Sequence, residues 1–80
     1  LNEEEQIIRI QTAAESMHSL LGLLTVQHHP VQINEQVVEI SLLKDMIPGL
    51  NTQLVEAGIP IFAIEAKRKL EDYFINLLAS

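Results

Sequence analysis

A histidine followed by a glycine one helical turn later is the first feature of this sequence with chemistry to offer. The segment His18-Ser19-Leu20-Leu21-Gly22 lies where the spacing of apolar residues predicts a helix. An imidazole that is unprotonated near neutral pH can act as a nucleophile. Glycine at the next turn would leave room for a protein to approach the ring. His18 is therefore a candidate nucleophile.

These five residues resemble the phosphorylated helix of histidine phosphotransfer domains, whose pattern is His, any residue, Leu, Lys, Gly. Leu21 stands here where that family has lysine, and the likeness covers five of the 80 residues. The resemblance implies a helical bundle that exchanges a phosphoryl group with a receiver domain. A phosphorelay component with His18 as phosphoacceptor is therefore the alternative function.

No other group of residues has a spacing typical of a catalytic or metal site. His28 and His29 are adjacent, so they cannot share a helix face in the way that two metal ligands one turn apart do. The carboxylates of Glu3, Glu4 and Glu5 are explained by the positive end of a helix dipole. We therefore expect no enzyme activity, no metal, no cofactor and no small-molecule substrate.

The length, apolar content and net charge of the chain favour a protein partner. A chain of 80 residues buries only about 60–65% of the surface that it exposes when unfolded, yet 48% of its residues are apolar. The net charge of −6 disfavours nucleic acid and anionic membranes. The longest near-continuous apolar run, Leu20 to Val26, is far shorter than the roughly 20 residues of a membrane span. The absence of cysteine is compatible with a reducing compartment, and we expect a cytoplasmic location.

The apolar pattern predicts an all-α fold. Spacings of three and four residues recur along the first third of the chain, at Ile7, Ile10, Ala14, Met17, Leu21 and Leu24. Asn34 is a candidate helix cap, and Pro48-Gly49 and Gly58 are breaks. We expect a single domain over 1–80, without an internal repeat: a small antiparallel bundle of three to four helices, completed by dimerisation. The predicted helices span about 2–27, 34–47, 50–57 and 60–78.

The expected function is a non-enzymatic interaction or oligomerisation module, regulatory or adaptor-like, that acts through apolar helix faces. On a helical wheel, Val38 and Leu42 point away from the face of Ile40, so they would remain for a partner to cover. The end of the first helix is also rich in apolar residues. The predicted partner-binding residues are Leu20, Leu23, Val26, Val38, Leu42 and Met46.

Overall fold

The fold is given by a computed structural model, which describes residues 5–68. These residues form four β-strands and two α-helices, and a short 3-10 turn precedes each helix. The strands are β1 (Glu5–Thr12), β2 (Val31–Gln32), β3 (Val37–Leu43) and β4 (Ile61–Arg68), and the helices are α1 (Met17–Thr25) and α2 (Ile47–Glu56).

The strands form one antiparallel sheet in the order β2-β3-β1-β4. Each helix connects two strands that are not neighbours, because β3 lies between β1 and β2, and β1 lies between β3 and β4. This connectivity is the split βαβ, or ferredoxin-like, arrangement. The predicted all-α bundle is therefore wrong: the chain is a mixed α/β domain.

The first half of the predicted helix 2–27 is wrong because its apolar residues follow two periods at once. Ile8, Ile10 and Thr12 are buried on one face of β1, at the spacing of two that a strand requires. Most apolar residues there are β-branched, and such residues pack better in sheets than in helices. The same holds for Val37, Val38 and Ile40, so the predicted helix 34–47 is the strand β3.

Pro48 and Asn34 act differently from what we expected, whereas Gly58 follows the end of a helix, as predicted. Pro48 lies in the first turn of α2, where its missing N–H is not needed, instead of ending a helix. Asn34 lies in the turn between β2 and β3, and its Oδ1 accepts a hydrogen bond of 2.8 Å from the backbone N–H of Gln36. Gly58 has a φ of 71° after the end of α2, a conformation that favours glycine. The predicted helix 60–78 begins in β4, and residues 69–80 lie outside the described part.

Both helices pack on one face of the sheet and bury a single core. The inward side chains of β1 and β3 meet leucines of both helices there, and Thr12 is the buried polar residue among those described. Burial of each such leucine stabilises the fold by about 1.5–3 kcal/mol. The buried apolar residues are Ile8, Ile10, Met17, Leu20, Leu24, Val38, Ile40, Leu42, Leu50 and Leu54.

The two halves of this domain repeat one layout at a spacing of 30 residues, contrary to the expectation from sequence. The 3-10 turns begin at Ala14 and Lys44, and the helices begin at Met17 and Ile47. The outer strands begin at Val31 and Ile61. Arg9 pairs across the sheet with Glu39, which is its own counterpart 30 residues on. A pseudo-two-fold axis therefore passes between Arg9 and Glu39.

The sheet face opposite the helices, which we call the open face, carries this axis at its centre. The Arg9 guanidinium donates from Nη2 and Nε to the Glu39 Oε2, over 2.7 and 2.8 Å. Glu65 is the register partner of Arg9 on the other side. Arg9 and Glu39, which occupy equivalent positions of the two halves, thus carry opposite charges. The two halves are therefore not interchangeable at the axis.

Candidate partner-binding groove

The six residues predicted to bind a partner divide into two groups. Leu20, Val38 and Leu42 lie in the core, with exposures of 0, 0 and 4%. Val38 and Leu42 belong to a strand, where their alternation with Glu39 and Ser41 directs them toward the helices. These three side chains stabilise the fold, and Leu42 also forms part of the wall of a surface hollow.

The other three predicted residues are accessible and lie near one another. Leu23 packs partly against the core from α1, whereas Val26 directly follows that helix and is 79% exposed. Met46 directly precedes α2 and is 48% exposed. All three line hollows between the two helices.

The first hollow has an apolar wall and lies between the end of α1 and the end of α2. It has a volume of about 390 Å³. Its lining residues are Leu23, Val26, Gln27, Gln53, Glu56 and Ala57.

A second hollow of about 290 Å³ adjoins the first and shares Gln27 and Gln53 with it. Met46, Asp45, Gly49 and His28 line it, and the buried Leu42 and Leu50 contribute apolar surface. We refer to the two hollows together as the α1–α2 groove.

Charge in the α1–α2 groove has one sign. The acidic residues that line it are Asp45 in the second hollow and Glu56 in the first, and no lysine or arginine within residues 5–68 lines either hollow. The amides of Gln27 and Gln53 lie where the hollows meet, and each can both donate and accept hydrogen bonds. The groove therefore offers apolar contacts, two side-chain amides that can hydrogen-bond to the backbone of a bound segment, and two carboxylates.

His18 does not belong to this groove. It is exposed in the first turn of α1, and its environment is a nine-residue helix on a sheet, not the helical bundle that the resemblance implies. His28 is half-buried beside the groove and His29 is exposed. Among residues 5–68, no three His, Asp or Glu side chains are placed to hold a metal ion. No helix in the same range is long and apolar enough to cross a membrane.

Sequence reasoning missed the groove residues of α2. Gln53, Glu56 and Ala57 follow Met46 and Gly49 at helical spacings of three and four, so they form a second stripe beside the buried Leu50 and Leu54. This stripe is visible only when one helix is assigned across Pro48. The predicted break at Pro48-Gly49 divided it between two elements.

The fold alone does not identify a function, because the ferredoxin-like arrangement supports many unrelated activities. The assignment must therefore rest on the groove and on the exposed edges of the sheet. Comparisons of the chain with protein-family models, with curated proteins and with solved structures found no match.

Proposed function

We propose that this domain is a non-enzymatic, regulatory or adaptor-like interaction module whose α1–α2 groove binds an apolar segment of a partner protein, flanked by basic residues. The observation that carries the proposal is the exposure of Val26 and Met46 along one groove between two carboxylates. The free energy falls when a partner covers exposed apolar groups in a concave surface, because their apolar area is removed from water.

The charge of the groove selects the chemistry of the partner. Asp45 and Glu56 attract lysine or arginine at the ends of a bound segment, and the net charge of −6 acts in the same direction at longer range. Charges at the rim of an interface mainly raise the association rate and exclude wrong partners, whereas apolar anchors supply most of the affinity. The partner is therefore an amphipathic segment with apolar anchors and basic ends.

A labelled synthetic peptide tests this proposal. The probe is an amphipathic peptide of leucines and alanines with two lysines at each end, and the matched probe has glutamates in place of the lysines. Fluorescence polarisation measures their affinities. We expect the lysine probe to bind at least about tenfold more tightly than the glutamate probe, and the difference to shrink with added salt.

Two variants locate the binding site. Val26→Asp places a carboxylate in the groove, whereas Val55→Asp places one on α2 at a residue that does not line it; the two valines are 79 and 77% exposed. Val26→Asp should weaken the lysine probe about tenfold or more, and Val55→Asp should change its affinity less than twofold. Equal losses in the two variants, or equal binding of the two probes, would contradict the proposal.

A further inference from the structure

The outer edge of β4 is long and open within the part of the chain that the structure describes. Seven of the eight residues of β4 pair with β1 along one side, the exception being Phe62, and no described strand pairs with the other side of β4. The opposite edge of the sheet is β2, which has only two residues. A strand edge presents backbone N–H and C=O groups that readily pair with another strand.

The side chains of β4 fit a surface that another chain covers. Phe62 is 60% and Ile64 38% exposed, although Ile64 lies beside the buried Ile10 on the helix side of the sheet. Glu65 and Lys67 lie on the open face, opposite Arg9 and Ile7 of β1. No ion pair joins Glu65 or Lys67 to another residue within 5–68. β4 thus carries exposed apolar groups and two opposite charges two positions apart.

We propose that two copies of this chain pair edge to edge through β4. The strands run antiparallel about a two-fold axis perpendicular to the sheet, which makes one continuous eight-stranded sheet. Backbone hydrogen bonds along the edge and the burial of the exposed Ile64 against the other copy supply the association. The surface is distinct from the α1–α2 groove, and the proposal does not depend on that groove.

The charges of β4 select the register of this pairing. Residues opposite each other across a two-fold axis of this kind lie on the same face of the sheet. An axis at Glu65 would place two carboxylates opposite each other, and an axis at Lys67 would place two ammonium groups together. An axis at Ile64 would place Glu65 opposite Ala63. An axis at Ala66 places each Glu65 opposite Lys67 of the other copy, so both charges are paired.

Disulfide trapping tests the register directly, because the chain has no cysteine. With the axis at Ala66, the two Cα atoms of that residue lie about 4.5–5.5 Å apart, which a disulfide can span. Ala66→Cys should therefore form a covalent dimer under mild oxidation. Ala63→Cys is the matched control, since its copies lie about 20 Å apart in this register. Ile64→Cys reports the alternative axis, and cross-linking there or at Ala63 as efficient as at Ala66 overturns the proposal.

Charge reversal tests the pairing without a covalent bond. By sedimentation velocity, the unaltered chain should move from its 9.0 kDa monomer to a dimer as its concentration rises. Lys67→Glu should weaken the dimer at least about tenfold, because it places carboxylates opposite Glu65. The double variant Glu65→Lys/Lys67→Glu should restore it, and circular dichroism should show that both variants fold.

An unaltered chain that stays monomeric at all concentrations, or a double variant no stronger than Lys67→Glu, overturns the proposal. The variant Val26→Asp separates this dimer from partner binding in the groove. It should keep the dimer while losing the lysine probe.

Discussion

The two strand–helix–strand halves of this domain share a layout and differ most in their outer strands. Several equivalent positions 30 residues apart hold the same residue, as in Leu20 and Leu50, or Pro30 and Pro60. The outer strand has two residues in the first half and eight in the second. The two halves thus contribute to one core in the same layout, whereas their outer strands differ in length.

The short edge and the long edge have different physical consequences. In the first half the chain turns from β2 into β3 through Asn34, whose side chain accepts a hydrogen bond from the Gln36 backbone N–H. The strand on that edge is therefore short. In the second half β4 follows β1 over its length and presents a full strand edge. Within residues 5–68, the longer strand edge therefore lies on one side of the domain, and the edge pairing that we propose uses that side.

The largest expected effect tests whether the two halves share one core. Leu20→Ala and Leu50→Ala remove equivalent leucines that are 0 and 3% exposed. Each variant should lower the free energy of unfolding by about 2–5 kcal/mol, because each leaves a cavity in the same cluster. Urea unfolding followed by circular dichroism measures both losses. Two separate transitions, or a loss in only one variant, would show that the halves fold independently.

A smaller effect is expected at Thr12, where the two halves differ in chemistry. The fully buried Thr12 hydroxyl donates to the Pro60 carbonyl oxygen, whereas Leu42 at the equivalent position has no hydroxyl to offer Pro30. Thr12→Val keeps the shape and removes the donor, so it should cost about 1–3 kcal/mol.

Thr52→Val is the control for Thr12. The exposed Thr52 hydroxyl donates to the Pro48 carbonyl within α2, so its loss should change the unfolding free energy by less than about 0.5 kcal/mol. Thermal unfolding of both variants provides the comparison. Equal losses of unfolding free energy in the two variants would mean that the hydrogen bond from Thr12 to Pro60 adds no stability beyond that of an exposed one.

The smallest effect concerns the ion pair on the pseudo-two-fold axis. The Arg9 and Glu39 side chains are 45 and 24% exposed, so water screens their attraction and the pair contributes about 0.2–1 kcal/mol. Arg9→Glu should be destabilising, and Arg9→Glu/Glu39→Arg should recover most of the loss. A double-mutant cycle at low and high salt measures the coupling. A coupling that does not weaken with salt would contradict the electrostatic explanation.

The sequence predicted the positions of the apolar residues better than the elements that contain them. The helical wheel places Val38 and Leu42 on a surface, and the apolar run at the end of the first predicted helix suggests the same for Leu20. The strand β3 and the helix α1 instead place all three in the core. Leu23, Val26 and Met46 are exposed or half-buried under either reading, and they line the groove. The groove itself requires α1 and α2 to lie on one sheet, which no local pattern specifies.

By itself, the sequence determined an acidic, cysteine-free and strongly apolar chain with a break at Gly58. The period of the segment from Glu5 to Thr12 was decided only by the tertiary structure. Its isoleucines satisfy both a helical spacing and a spacing of two, so local propensity leaves the choice open. The choice falls to the strand because β1 pairs with β3 and β4, which lie some 30 and 60 residues away along the chain. Hydrogen bonds and burial across that separation exist only once the whole domain has formed.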